Sequence, residues 1–283
     1  MSAADLTTFF IMLREGLEAA LVVGILLAYL RQVGAPRHAR LVWLGVVAAV
    51  VTSVGVLLAF KGVGMEFEGG TEQVFEGATM LLATVVLTWM VFWMMRQARL
   101  IRGDLQRGVD RALAEGAGFG LFLLAFFAVV REGVETALLL QAAVFAAAGQ
   151  STILGAVVGL GGAIALGLLI YSFGVRIDLR LFFRVTAVVL LVFAAGLVAH
   201  AAHEFAEAGL LPVLVERVWD TSAALPDSTG AGSFLRALLG YSDSPSLLEI
   251  FVYAGYLAVV GILARTGVGT ALTPSVRPEK TTA

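Results

Sequence analysis

The sequence predicts an all-α polytopic membrane protein of seven transmembrane helices, with helices 1–3 and 4–6 forming an inverted repeat and helix 7 an accessory span. Three observations predict it. Of the 283 residues, 59% are apolar and 14% charged, and the mean hydropathy is +0.93, a composition solvated by lipid rather than water. Basic residues collect in every second connection between apolar segments. A charged octapeptide occurs twice, 117 residues apart, inside segments that are otherwise apolar for a bilayer's width.

A helix needs about 20 apolar residues, rising about 1.5 Å each, to cross the hydrocarbon. Seven segments meet that length: Leu6 to Leu30, Leu41 to Phe60, Val74 to Met95, Phe119 to Ala148, Ile153 to Val175, Val185 to Phe205 and Leu247 to Ala264. They make one transmembrane domain over 1–265, with repeat 1 at 6–95, repeat 2 at 116–205, an outer loop at 206–246, helix 7 at 247–264 and a short cytoplasmic tail at 266–283.

The connections set the orientation. Arg31, Arg37 and Arg40 follow helix 1; Arg96, Arg99, Arg102, Arg107 and Arg111 follow helix 3; Arg176, Arg180 and Arg184 flank the fifth connection; Arg265, Arg277 and Lys280 lie in the tail. The alternate connections hold Glu66, Glu68 and Glu72, then the neutral Gly149 to Thr152, then a loop with Glu207, Glu216, Asp220, Asp227 and Asp243 against Arg217 and Arg236. The positive-inside rule places the amino terminus outside and the carboxyl terminus in the cytoplasm. Asp5 stands where a signal peptide would be basic, so the first apolar segment is expected to stay.

Trp89 and Trp93 fit an aromatic belt at the inner leaflet, and Met90, Met94 and Met95 read as lipid-facing or core side chains. The stretch Arg96 to Glu115 reads as an amphipathic cytoplasmic helix beside anionic headgroups, or simply as a determinant of topology. The loop from Ala206 to Ser246 is too apolar for a flexible linker and is expected to fold over the outer face.

The net charge of -2 is segregated by segment, and no basic patch for nucleic acid is present. The absence of cysteine excludes disulfides, thiolate ligands and thiol catalysis. No phosphate-binding G-x-x-x-x-G-K-[ST] loop is present, which excludes ATP coupling of that type within the chain.

The octapeptides are Arg14-Glu15-Gly16-Leu17-Glu18-Ala19-Ala20-Leu21 and Arg131-Glu132-Gly133-Val134-Glu135-Thr136-Ala137-Leu138, identical at six of eight positions. Three helices per repeat is an odd number, so helix 4 runs opposite to helix 1. Helix 1 reaches its motif after about 12 to 18 Å and helix 4 after about 18 to 24 Å, which brings both near the bilayer midplane. Beyond the motifs the repeat is faint, resting on small-residue pairs such as Gly45 and Gly162.

Arg14 shares a helix face with Glu18, and Arg131 with Glu135. With one carboxylate paired to each arginine, the remaining two are free hard-oxygen ligands, and Gly16 and Gly133 leave room for an ion or a neighbouring backbone. Two more carboxylates than guanidiniums in an apolar medium call for a cation, and an oxygen donor set favours a hard or borderline metal. The motif alone does not choose among ferric iron, ferrous iron and manganese. Two other readings stand beside it: salt bridges that pin helix 1 to helix 4, and a membrane-embedded enzyme using the glutamates as acid and base, for which no nucleophile or cofactor motif is present. A second group, Glu72, Glu76, His203, Glu204, Glu207 and Glu249, forms an acidic rim or an outer collecting site for cations. His200/Glu204 and His203/Glu207 have the i,i+4 spacing for pairing.

The doubled R-E-G-x-E motif, the seven segments, the outer amino terminus and the long loop before helix 7 resemble the oxidase-dependent iron permeases. That family comprises the fungal high-affinity iron permeases and the permease component of bacterial elemental ferrous iron transport systems. The resemblance covers essentially the whole chain. It implies a cytoplasmic-membrane transporter with no permanently bound cofactor, whose substrate iron enters as ferric ion after a partner oxidase outside the membrane has oxidised ferrous ion. It also implies that Glu15, Glu18, Glu132 and Glu135 are required, with Arg14 and Arg131 as counter-charges. The short tail after Arg265 favours the bacterial type. Some relatives are associated with other metals, lead among them. The partners expected are iron, an extracytoplasmic oxidase or iron-binding protein, and lipid, without nucleic acid; a homo-oligomer is compatible with the sequence.

Overall fold

A computed structural model describes residues 3–64, 69–97, 101–114, 118–147, 152–173, 179–212, 215–227 and 230–266. Among them the regular structure is entirely helical: α1 (Ala3–Gln32), α2 (Ala39–Gly64), α3 (Gly70–Gln97), α4 (Ile101–Ala114), α5 (Gly118–Ala146), α6 (Ile153–Phe173), α7 (Leu179–Glu207), α8 (Gly230–Leu239) and α9 (Leu247–Thr266), with a single 3-10 turn at Pro36–His38. Five of these, α2, α3, α6, α7 and α9, are long and apolar enough to cross a membrane. The expectation of seven spans adds α1 and α5, which have 30 and 29 residues but each carry the three charged residues of a motif.

Several helices overrun the predicted segments; α7 begins at Leu179 rather than Val185. Hydropathy marks the lipid-facing middle, whereas backbone hydrogen bonding carries the helix through Arg180 and Arg184 beyond it. Glu66, Glu68, Arg99, Glu115, Arg176 and the tail from residue 267 lie outside the described residues.

The direction of each helix follows from its contacts. Ile11 of α1 packs with Leu138, Leu139 and Ala142 of α5, whereas Val23, Leu26 and Leu30 pack with Leu121, Ala125 and Val129. Rising numbers on one helix meet falling numbers on the other, so the motif-bearing helices are antiparallel. α2 lies mainly along α5, α6 mainly along α1, and α3 along α7. Exchanging the first three long helices with the second three leaves this pairing unchanged.

Glycine makes the two crossing contacts possible. A side chain at Gly45 on α2 would meet the carbonyl oxygen of Phe122 on α5, and one at Gly155 on α6 would meet that of Asp5 on α1. Phe122 and Asp5 are 117 residues apart, but Gly45 and Gly155 are 110 apart. The expected match of Gly45 with Gly162 is thus corrected, because the second repeat has seven residues fewer between its motif and its next helix. Asp5 also reaches the start of α6, where its Oδ1 accepts a hydrogen bond of 3.0 Å from Gly155 N. A carboxylate is well placed there, against unsatisfied N–H groups and the positive end of the helix dipole.

α4 is an amphipathic helix, as expected of this stretch, and it is docked on the bundle. Its apolar side, Leu105, Val109 and Ala112, is buried in the cluster that joins α1 and α5. Tyr29 Oη binds both carboxylate oxygens of Asp110, at 2.8 and 2.9 Å. At the opposite end of the bundle the long loop carries α8, which packs on α1 and α7. Arg236 on α8 pairs with Asp227 at 2.8 Å and donates to the carbonyl of Ala146, at the end of α5, at 3.3 Å. α9 is peripheral, fixed by packing on α7 and by a 2.7 Å hydrogen bond between Tyr256 Oη and Thr88 Oγ1 on α3.

Gly155→Ala should sharply lower the yield of monodisperse protein in detergent and its thermal midpoint. Gly161→Ala, where an added Cβ meets open space, should leave both unchanged. Size-exclusion profiles and thermal melts of the pair check this.

Candidate functional site

The motifs meet where α1 and α5 cross, between two apolar clusters. On the α8 side lie Ile11, Leu87, Leu139 and Leu190; on the α4 side lie Leu26, Leu30, Leu121 and Val109. Arg14 and Glu15 are each 1% exposed, and Glu18, Glu132 and Glu135 are also buried. The Arg131 side chain is the exception at 34%.

Each motif closes first on itself. Arg14 Nη1 donates to Glu15 Oε1 at 3.1 Å, and Nη2 forms an ion pair of 3.2 Å with Glu18 Oε1. Arg131 Nε donates to Glu135 Oε1 at 3.0 Å and lies 3.8 Å from Glu132 Oε1. Arg14 therefore engages both of its glutamates, where one was expected. Arg131 holds one closely and the other at a distance.

The carboxylates also converge between motifs. One oxygen each from Glu15, Glu132 and Glu135 fall within 4.8 Å of one another. Oxygen ligands of a small octahedral cation at about 2.1 Å stand about 3 to 4.2 Å apart, so a small inward movement would complete such a set. Glu18 is outside this trio, held by Arg14. Glu15 Oε2, Glu132 Oε2 and Glu135 Oε2 are buried without a hydrogen-bond partner, as are Arg14 Nε and Arg131 Nη2. A buried polar atom left unpaired costs about 1 to 3 kcal/mol. The surplus is of acceptors with negative charge, and a cation is the species that would satisfy them.

α3 supplies contacts that the sequence reading did not assign. Arg14 Nη1 points to Met90 Sδ at 3.6 Å and Nη2 to Met94 Sδ at 3.5 Å. The Arg131 guanidinium lies 4.2 Å from the centre of the Trp93 ring and 5.9 Å from that of Trp89, and the two indoles stack at 6.1 Å. These four side chains are more than an interfacial belt and core filling. Their spacing at 89, 90, 93 and 94 was the available signal: two i,i+4 rows of polarisable groups on one helix.

Of the two occupants expected for the room at Gly16 and Gly133, an ion or a neighbouring chain, it is the neighbouring chain that is found. A Cβ at Gly16 would press on Ala163 of α6, and one at Gly133 would strike Ser53 of α2. The space they leave is taken by neighbouring helices, not left to an ion. Ser53 and Ala163 are again 110 residues apart, like Gly45 and Gly155.

The second group gathers at the α8 end of α3, α7 and α9. His203 lies 3.1 Å from Glu207 through Nε2 and 3.1 Å from Glu249 through Nδ1. Gln73 donates to Glu207 at 2.8 Å, and like-charge repulsion from Glu204 and Glu72 reaches Glu76. All six expected residues thus share one neighbourhood. His200 does not pair with Glu204 as the spacing allowed; its Nδ1 faces the Gly196 carbonyl one turn back at 2.8 Å. Glu249 is further engaged by the Ser246 hydroxyl at 2.8 Å.

Long apolar helices wrapped round a buried, acid-rich pair of charged motifs make this a multi-pass membrane protein. The match of residues 5–276 to the iron permease FTR1 family makes the chain a member of that family. Among curated proteins it is 39% identical over 251 residues to the ferrous iron permease EfeU of Escherichia coli O6:K15:H31, covering 88% of this chain and 91% of the relative. The protein of the same name from Shigella sonnei gives the same values. That of Yersinia pestis is 38% identical over 257 residues, covering 90% and 91%. No solved structure matches.

Gly133→Ala should lower thermal stability by forcing α5 away from α2, and Ser53→Gly in the same chain should restore most of the loss, since beyond the Ser53 side chain the next atom is its Cα at 3.9 Å. Thermal melts of the two single variants and the double variant form the cycle that checks this.

Proposed function

We propose that the chain moves iron inward across the cytoplasmic membrane, with Glu15, Glu18, Glu132 and Glu135 as ligands for iron in transit and Arg14 and Arg131 as counter-charges between cargoes. The observation that carries this is the trio of carboxylate oxygens drawn from both motifs, within 4.8 Å, in a member of the iron permease family. The salt-bridge reading explains the ion pairs within each motif. It does not explain why three carboxylates converge across the crossing while each keeps a buried oxygen without a hydrogen-bond partner.

In this reading all seven long helices, α1 and α5 included, span the bilayer, with the α8 end outside and the α4 end in the cytoplasm. The basic residues of the α1–α2 and α3–α5 connections support that orientation. The mutual exchange of packing partners supports an inverted repeat. Iron collects at the acidic group around His203 and passes to the carboxylates. The apolar clusters on either side of them act as alternately opening seals.

The relatives are named ferrous iron permeases. Ferrous ion is accordingly the species supplied here, and an extracytoplasmic oxidase removes one electron from it before the ferric ion enters. A wholly carboxylate ligand set suits the harder ferric ion, while the two nearby methionine sulfurs are engaged by Arg14.

Glu18→Gln and Glu135→Gln should each abolish uptake of radioactive iron into proteoliposomes at normal protein density. Normal uptake in both, or loss only through degradation, would return the site to a structural role. A panel with manganese and lead in the same assay tests selectivity. Parallel runs with ferrous ion kept reduced, and with a ferroxidase added, test the oxidation state.

The absence of native cysteine makes the two seals open to direct test. Cysteine at Ile11 should react with an impermeant thiol reagent only from outside, and cysteine at Leu26 only from inside. Conditions that favour one reaction should suppress the other. Simultaneous reactivity at both would identify a continuous pore instead of alternating access.

A further inference from the structure

We propose that α3 is the positioning helix of the transport site: Met90 and Met94 on one side, and Trp93 backed by Trp89 on the other, hold Arg14 and Arg131 through neutral contacts while cargo occupies the carboxylates. This rests on the reading of the motifs as a cation site. It adds residues that lie outside both motifs and carry no charge.

The chemistry begins with what a guanidinium does when its carboxylate is taken. Arginine stays protonated, so it cannot escape an apolar site by losing charge. When a cation draws in the oxygens of Glu15, Glu132 and Glu135, Arg131 loses both of its ion-pair partners and Arg14 one of its two, and an unpaired buried charge is strongly unfavourable. They need a second partner that is already in place. Met90 Sδ and Met94 Sδ stand 3.6 and 3.5 Å from the two terminal nitrogens of Arg14, and the face of Trp93 lies 4.2 Å from Arg131.

The type of partner matters as much as its position. A carboxylate on α3 would neutralise each arginine permanently and add negative charge. A thioether is a weak acceptor and an indole face attracts a cation through its quadrupole, so both hold the guanidinium without competing for the metal. Met90 is fully buried and Trp89 is 56% exposed, so Trp93 is the indole turned inward and Trp89 its backing. Helical spacing sets the two tryptophans in one row and the two methionines in the next, so one short stretch of α3 addresses both motifs.

Loss of these contacts should leave the arginines on the carboxylates, where they compete with incoming cargo. The test is the rate of iron uptake against concentration in proteoliposomes holding the full chain, with protein density measured in each preparation. Trp93→Leu should raise KM by about 3- to 10-fold at a nearly unchanged maximal rate, and Trp93→Phe, which keeps an aromatic face, should recover much of that rise. The double variant Met90→Leu with Met94→Leu, close in volume but without sulfur, should raise KM by about 2- to 3-fold. An unchanged KM in both Trp93→Leu and the double variant would overturn the proposal. An equal rise for Trp93→Leu and Trp93→Phe would also overturn it, since packing and not the aromatic face would then be responsible. If Trp93→Leu does not insert, the double methionine variant decides alone. Failure of the underlying site reading is distinguishable, because Glu135→Gln would then transport like the wild type, and the proposal would fall with it.

Discussion

Six ionisable side chains have to be kept out of water at one crossing of two helices, and the fold is arranged round that requirement. A lone charge there would be prohibitive. Each arginine therefore has carboxylates of its own motif in reach, and the two motifs side by side leave two more carboxylates than guanidiniums at the crossing. This places α1 and α5 at the centre, antiparallel, with α2 and α6 along their flanks and α3 against both motifs. The lipid-facing faces of α2, α6 and α9 follow, since these helices have little else to bury.

Close approach is the second condition. Charged groups stabilise one another at this crossing only if the surrounding helices exclude lipid and water, and that needs backbones nearly in contact. Gly16, Gly133, Gly45 and Gly155 supply those contacts at corresponding points of the two halves. The Asp5 carboxylate at the start of α6 fixes one such contact further. Glycine is required here for what it lacks, a Cβ, and the backbone of these helices remains ordinary.

The sequence made the charged half of this arrangement plain and the neutral half obscure. Arg14, Glu18, Arg131 and Glu135 stand out because charge inside an apolar segment is rare, and a repeated spacing of four residues is readable without coordinates. All seven segments were read from apolar length; five of the helices found are long and apolar enough to cross a membrane, and α1 and α5 are as long but interrupted by the charges of the motifs. The offset of 110 between Gly45 and Gly155 was hidden by the 117 of the motifs, since an unequal linker shifts register without leaving a local mark. Met90 and Trp93 were hidden for another reason. Methionine and tryptophan are ordinary in lipid-facing helices, and only the position of a guanidinium 3 to 5 Å away distinguishes a partner from filler. The apolar side of α4 could equally have met lipid, and only tertiary packing turned it to α1 and α5.

Symmetry between the halves leaves open which counter-charge yields first, and the departures from symmetry answer that. Arg14 is 1% exposed, bound to two glutamates at 3.1 and 3.2 Å and to two sulfurs. Arg131 has one glutamate at 3.0 Å, a second at 3.8 Å and an indole face, and a third of its side chain is exposed. The shared oxygens follow the same bias, two from the second motif and one from the first. At the proposed site a cation bound by that trio would take both carboxylates of Arg131, whereas Arg14 would give up Glu15 alone and keep Glu18. The remaining partner of Arg131, the Trp93 face, tolerates displacement better than a directional ion pair does. On the proposed reading of the site, the second motif is therefore the half that would give way to cargo, and the first the half that would hold its geometry.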